Sequence, residues 1–203
     1  MKKDEDLLIG NKNPIEIITD DTVETHHITI SRHHNTCKVI DNTKKFGSFY
    51  KIDTDSTHSI LYGQYLAIGK TWIIFKYDVV PIICIISKEY SVIFSAKLAE
   101  DRPYVIRRNK DLPISIPDDS SVSGRHLCVT PLKDKVEVRD LASTNGTYVK
   151  FETMMVSSKE VIRIGVETFL NVEWRDAKDC VKVLVEVPFV NTELLRCRQA
   201  SPI

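Results

Sequence analysis

Apolar residues in this chain recur at every second position. Val136 and Val138, Ile114 and Ile116, Leu170, Val172 and Trp174, and Val181, Val183 and Val185 each alternate, the spacing that places side chains on one face of an extended strand. The runs are short and β-branched, and polar turn clusters such as Pro117-Asp118-Asp119-Ser120-Ser121 and Ala142-Ser143-Thr144-Asn145-Gly146 separate them. Helical spacing is confined to brief pieces, for example Thr192-Glu193-Leu194-Leu195-Arg196-Cys197, in a tail expected to fray. The chain is therefore expected to be all-β, its many short strands stacked as two-sheet sandwiches.

Composition closes off several classes. Lys+Arg and Asp+Glu number 28 each, and 42% of residues are apolar. The balance excludes a uniformly basic nucleic-acid-binding domain and an acidic tail, and the apolar content supports a core. The run Val79-Val80-Pro81-Ile82-Ile83-Cys84-Ile85-Ile86 has strand length, far below the ~20 residues of a membrane helix. Met1-Lys2-Lys3-Asp4-Glu5-Asp6 carries acids where a secretory signal would be apolar, so export is not expected. Five cysteines (Cys37, Cys84, Cys128, Cys180 and Cys197) are odd in number, widely spaced and without a Cys-x-x-Cys pair. They point to a reducing compartment and to no zinc site of the usual spacing.

The chain has seven glycines, and their placement is informative. Gly47 and Gly146 are 99 positions apart, as are His27 and His126, while Gly69 and Gly165 are 96 apart. Lys38-Val39-Ile40-Asp41 with Phe46-Gly47-Ser48-Phe49-Tyr50 answers Val136-Glu137-Val138-Arg139-Asp140 with Asn145-Gly146-Thr147-Tyr148-Val149. Leu66-Ala67-Ile68-Gly69 answers Ile162-Arg163-Ile164-Gly165. Alternation explains the apolar letters but not four ordered anchors at nearly constant offset, so the chain reads as two copies of one unit. The boundary is expected near Val79 to Tyr90, giving domains 1–84 and 85–187 and a C-terminal tail 188–203.

Three polar clusters in the second copy share a chemistry: Arg107-Arg108-Asn109-Lys110, Ser123-Gly124-Arg125-His126, and Ser143-Thr144-Asn145-Gly146-Thr147. Together they offer guanidinium donors, a hydroxyl, a carboxamide and loop N–H groups, the donor set for a doubly charged phosphate. No nucleophile and base pair stands among them, so binding is expected rather than catalysis. Taken singly, each has a plainer reading. Arg107, Arg108 and Lys110 form a solvated strand end, Ser123 is a turn residue, Asn145-Gly146 is an ordinary hairpin, and His126 is a structural histidine.

In order and spacing, Tyr104-Val105-Ile106-Arg107-Arg108-Asn109, Val122-Ser123-Gly124-Arg125-His126-Leu127 and Val138-Arg139-Asp140-Leu141-Ala142-Ser143-Thr144-Asn145-Gly146-Thr147-Tyr148-Val149 resemble a forkhead-associated (FHA) domain. Val161-Ile162-Arg163-Ile164-Gly165 resembles that family's strand before its last hairpin. The resemblance covers about residues 88–176. It implies a β-sandwich of about eleven strands that binds phosphothreonine peptides through loops at one end. By it Arg108 contacts the phosphate, Ser123 donates its hydroxyl to it, and Asn145 holds the peptide main chain. Gly124 and Arg125 add a further contact, Thr144 flanks the peptide, and His126, Gly146 and Thr147 support the loop. The glycine that precedes the arginine in the family is Arg107 here. A weaker similarity links Ile74-Phe75-Lys76-Tyr77-Asp78-Val79-Val80-Pro81-Ile82-Ile83-Cys84 to the segment leaving the FHA unit in nibrin-type repair scaffolds.

The first copy aligns as a degenerate version. Gly10, His27 and Gly47 persist, whereas Asn11, Glu24 and Phe46 stand at the positions of Arg108, Ser123 and Asn145. A carboxylate at a phosphate position repels a dianion, so this copy is expected to be a structural or phosphate-independent docking module. His26, His27, His33, His34 and Cys37 invite a metal reading, but adjacent histidines of a strand point to opposite faces. Trp72, Phe75 and Tyr77 have the spacing of a stacking stripe and equally of a core strand. The expectation is two tandem FHA-type sandwiches forming a nonenzymatic adaptor for a threonine-phosphorylated protein or peptide. A further protein partner for the first copy is expected, with no cofactor, metal, nucleic acid or membrane. A nuclear (or cytoplasmic) signalling or DNA-damage scaffold is the expected setting. The alternative is a phosphorylation-independent structural or dimerisation protein on the same sandwiches.

Overall fold

The computed structural model describes residues 6–11, 20–33, 36–87, 89–109, 113–175, 180–187 and 190–192. Lys110, His34 and the side chains of Cys180 and Cys197 lie outside the described residues, as does the tail 188–203 apart from its short strand. All regular elements among the described residues are strands. The first segment supplies β1 (Leu7–Ile9), β2 (Ile28–His33), β3 (Thr36–Asp41) and β4 (Ser48–Lys51). Next come β5 (His58–Leu61), β6 (Tyr65–Ile68), β7 (Thr71–Tyr77), β8 (Pro81–Ile86) and β9 (Val92–Lys97). The FHA-like motifs fall on β10 (Tyr104–Ile106), β11 (Leu127–Pro131), β12 (Lys135–Asp140) and β13 (Thr147–Phe151). The chain ends with β14 (Thr153–Val156), β15 (Lys159–Ile164), β16 (Thr168–Arg175), β17 (Cys180–Val187) and β18 (Val190–Thr192).

The expected boundary near Val79–Tyr90 is not where the chain divides. Residues 51–150 form one compact unit, and residues 1–50 form the other together with 151–203. Val79–Tyr90 contains β8, which is paired on one side with β7 and on the other with β9. Its Ile83 is fully buried and Ile85 nearly so. A cut there would expose apolar surface on both flanks.

Within the contiguous unit, β10-β11-β12-β5 form one sheet and β13-β6-β7-β8-β9 the other. In the discontinuous unit the sheets are β1-β2-β3-β14 and β18-β17-β16-β15-β4. Their pairings answer one another residue for residue. β12 meets β5 with Val138 opposite His58 and Val136 opposite Ile60, while β3 meets β14 with Val39 opposite Met154 and Cys37 opposite Val156. β13 meets β6 with Thr147 opposite Ile68, and β15 meets β4 with Ile164 opposite Ser48. Each match carries the offset of 99 on one strand and 96 on the other. The strands with matching register are thus divided between the two units out of sequential order. Strands that match in pattern and register can complete either sheet, the condition under which equivalent elements swap.

Alternation decides what is buried. Val136 and Val138 of β12, Leu127 and Val129 of β11, and Leu66 and Ile68 of β6 are fully buried in the contiguous unit. Val23, Ile28, Val39, Val156, Ile162, Ile164, Leu170, Val172 and Val183 share the core of the other. Trp72 and Phe75 are buried, whereas Tyr77 is exposed and donates to the Glu100 carboxylate at 2.5 Å. The aromatic run of β7 is therefore mostly core.

Candidate functional site

The site is built on β12's last residue. Asp140 is buried, and its carboxylate accepts from the Ser143 N–H (2.7 Å), the Ser143 hydroxyl (2.7 Å) and the Thr147 hydroxyl (2.6 Å). Ser143 Oγ in turn accepts from Gly146 N–H at 3.0 Å. These bonds hold a loop with two left-handed residues, Ala142 (φ 56°) and Gly146 (φ 82°). Glycine suits the second because the Lys51 stem also passes close by: a Cβ on Gly146 would lie 2.6 Å from Lys51 Cε.

His126 braces the loop from below. The Ser123 N–H points at its Nδ1 (3.0 Å), so that nitrogen must be the acceptor, and Nε2 carries the proton donated to Gly146 O at 3.1 Å. The ring is fully buried, and burial pushes its pKa below the ordinary value against the opposing pull of Gly146 O, Asp140 and Asp119. A neutral, fixed tautomer is what this structural role requires.

Above it lie the donors. Arg108 N–H donates to Ser123 O at 3.1 Å, which ties the end of β10 to the following loop. The exposed Arg108 guanidinium donates through Nη1 to Ser120 O at 2.9 Å, a bond that uses one of its five N–H donors. Ser123 Oγ accepts from Thr144 N–H (3.0 Å) and lies 3.4 Å from Thr144 Oγ1. Asn145 Nδ2 donates to Ser121 O at 2.7 Å, and the residue is exposed. Gly124 and Arg125 are exposed, and a Cβ on Gly124 would meet nothing within 4 Å. The three clusters therefore meet in one loop system of residues 51–150. Arg108, Ser123, Thr144 and Asn145 are linked by hydrogen bonds through it, Gly124 and Arg125 lie on its open side, and His126, Gly146 and Thr147 are buried beneath. The arrangement can offer charged and neutral donors to an anion and both polarities to a peptide backbone.

Sequence reasoning missed the carboxylates that set this loop. Asp119, buried, accepts from Ser121 N–H (3.0 Å), the Ser121 hydroxyl, Lys70 N–H (2.6 Å) and Thr71 Oγ1 (3.0 Å). Its counterpart Asp20, 99 positions earlier, accepts from Thr22, Glu167 N–H (2.8 Å) and Thr168 Oγ1 (3.1 Å). The signal was available: Asp20 and Asp119 obey the same offset as the histidines, as do Asp41 and Asp140.

The equivalent loop of the discontinuous unit repeats the support and changes the rest. His27 Nδ1 accepts from Glu24 N–H (3.0 Å) and its Nε2 bonds Gly47 O (3.0 Å). Asp41 accepts from Thr43 N–H and from both N–H and hydroxyl of Ser48. Asn11 N–H donates to Glu24 O at 3.2 Å, as Arg108 does to Ser123. Gly10, at Arg107's position, has no room for a Cβ against the Thr25 backbone. Arg107 is accommodated in the other unit with its Nε buried and without a hydrogen-bond partner. In place of a hydroxyl, Glu24 presents a carboxylate that accepts from Lys44 and Lys45 N–H, each at 3.0 Å. His27 is consumed by this bonding, and burial pushes the Cys37 thiol up to about 11, a poor state for a metal ligand.

No curated protein and no solved structure matches the chain significantly. The model of the FHA domain matches residues 104–165, which begin at β10 and include every residue assigned to the site above. That segment, about a third of the chain, is thus similar to the forkhead-associated domain family.

Proposed function

We propose that the loop system of residues 51–150 binds phosphothreonine in a partner protein, making the chain a nonenzymatic phosphorylation-dependent adaptor. The observation that carries this is the tie of Arg108, Ser123, Thr144 and Asn145 to one another's loops around a guanidinium that retains free donors. FHA domains are phosphothreonine-binding interaction modules, and the family match covers these residues. A threonine phosphate carries about −1.5 to −2 charges at neutral pH, and charge-assisted bonds to it are roughly twice as strong as neutral ones. In this reading Arg108 meets the phosphate, Ser123 and the exposed Arg125 add donors, and Asn145 holds the peptide main chain. The unit containing Asn11, Glu24 and Phe46 does not read phosphothreonine and serves structure or docking.

Calorimetry of the full chain with a threonine peptide in phosphorylated and unphosphorylated form tests the proposal. Binding is expected only for the phosphorylated form. Arg108→Ala is expected to cost on the order of 2–4 kcal/mol, roughly 30- to 1000-fold in affinity, with Ser123→Ala weaker in the same direction. Equal affinity for both peptides, or full affinity in both variants, overturns it in favour of a phosphorylation-independent structural role.

A further inference from the structure

Glu24 holds the position of Ser123, and the correspondence is one of bonds as well as spacing. Each residue's N–H donates to Nδ1 of the buried histidine three positions later, and each carbonyl accepts from the N–H of the residue two positions past the opening strand, Asn11 or Arg108. They differ in what their side chains do. Ser123 Oγ accepts from one loop amide, that of Thr144. Glu24 Oε1 accepts from two, Lys44 and Lys45, which sit where Ser143 and Thr144 sit in the other unit. Two successive backbone N–H groups converging on one oxyanion oxygen form an anion nest, and bonds of this kind to an ionised acceptor are the strong ones.

We propose that the loop between Asp41 and Ser48 is an oxyanion seat whose resident ligand is the unit's own Glu24 carboxylate, so that removing this carboxylate opens the seat to a free oxyanion such as inorganic phosphate. The proposal borrows from the phosphothreonine reading only the class of ligand. In the contiguous unit the corresponding Thr144 amide donates to the neutral Ser123 hydroxyl, on an exposed residue. In this unit a tethered carboxylate satisfies the amides, occupies the seat and repels an incoming phosphate. The unit is thereby silent because it is filled, and its donors remain in place beneath the plug. Asn11 adds no cation at the seat, so the opened seat takes a small anion through backbone donors.

The test uses the full chain carrying Arg108→Ala, which silences the other site, with and without Glu24→Ala. Unfolding midpoints are measured in sodium phosphate against sodium chloride at equal ionic strength. The Glu24→Ala chain is expected to unfold earlier in chloride and to recover by about 2–4 °C as phosphate rises from roughly 1 to 100 mM, while its Glu24 parent responds no differently to the two salts. Equal salt responses of the two chains overturn the proposal. Glu24→Gln, which keeps an acceptor and the side-chain shape, gives a second reading. The Lys44 and Lys45 amide resonances are expected to move upfield in it as the charged acceptor is lost, and unchanged resonances overturn the proposal even if Glu24→Ala fails to fold. Failure of the phosphothreonine reading appears separately, in the peptide titration of the unaltered chain.

Discussion

Two loops of this chain hang from the same buried bonds and present opposite chemistry. In both, an aspartate at the end of a strand gathers the following turn, a neutral histidine spans from the preceding loop to a glycine carbonyl, and a second aspartate latches a serine or threonine. What faces solvent in residues 51–150 is arginine, hydroxyl and carboxamide. In residues 1–50 the same positions hold asparagine, carboxylate and phenylalanine. The support is costly to change because each buried polar group leaves a partner unsatisfied when it is removed. At the exposed Arg108 and Asn145 that penalty is smaller, so the surface chemistry of such a loop can differ while the support beneath it stays the same.

The comparison breaks most visibly if the units are cut in the wrong place. The segment matched by the FHA model runs on to residue 165, yet its β14 and β15 pair with β3 and β4, whereas β12 and β13 pair with β5 and β6. Residues 51–150 alone are therefore expected to give a cooperative thermal transition by circular dichroism and to keep peptide affinity. Residues 85–187 lack β5, β6 and β7 and are expected to lose both. A folded, binding 85–187 fragment would mean that β14 and β15 can take the places of β5 and β6, so that exchange is optional.

A smaller effect separates support from reading. Asp41→Asn and Asp140→Asn each leave buried donors facing a poorer acceptor, at about 1–3 kcal/mol of stability, measured by urea denaturation. Only Asp140→Asn is expected to weaken phosphopeptide binding, because only its loop presents Thr144 and Asn145. Equal loss of affinity in both variants would erase the functional distinction between the loops.

Much of this was legible in the residues. Alternation declared the strands, and the 99-residue offset of His27 and His126 pointed to two loops with the same supporting bonds, because a buried histidine with both ring nitrogens engaged tolerates no displacement. The order Arg108, Ser123, Asn145 pointed to one loop cluster, since loops at the same sandwich end are brought together by strands of fixed register. Strand exchange was not legible. β5 and β14 answer each other in pattern, so the text of the chain favours neither as the partner of β12, and the choice depends on the paths of connecting segments such as Ile52–Thr57. Glu24 was legible as a repelling charge but not as an internal ligand, because the amides it binds lie 20 and 21 positions away.

The finest distinction is set by pH. Burial holds His27 and His126 below the ordinary imidazole value of about 6.5, against backbone carbonyls and nearby carboxylates that pull the other way. With the folded pKa depressed, the unfolded chain binds more protons once pH drops below about 6.5, so stability is full above that value and declines as pH falls toward the folded values. The physical event is protonation of Nδ1, which breaks the bond from Glu24 or Ser123 N–H. The two sites differ by one group: Glu24 is among the carboxylates that raise His27, after Gly47 O and Asp41, and His126 has a serine at that position. In an NMR titration, Glu24→Gln is expected to move the His27 pKa further down and leave that of His126 in place. A shift of both, or of neither, would show that the carboxylate beside His27 does not distinguish the two loops electrostatically.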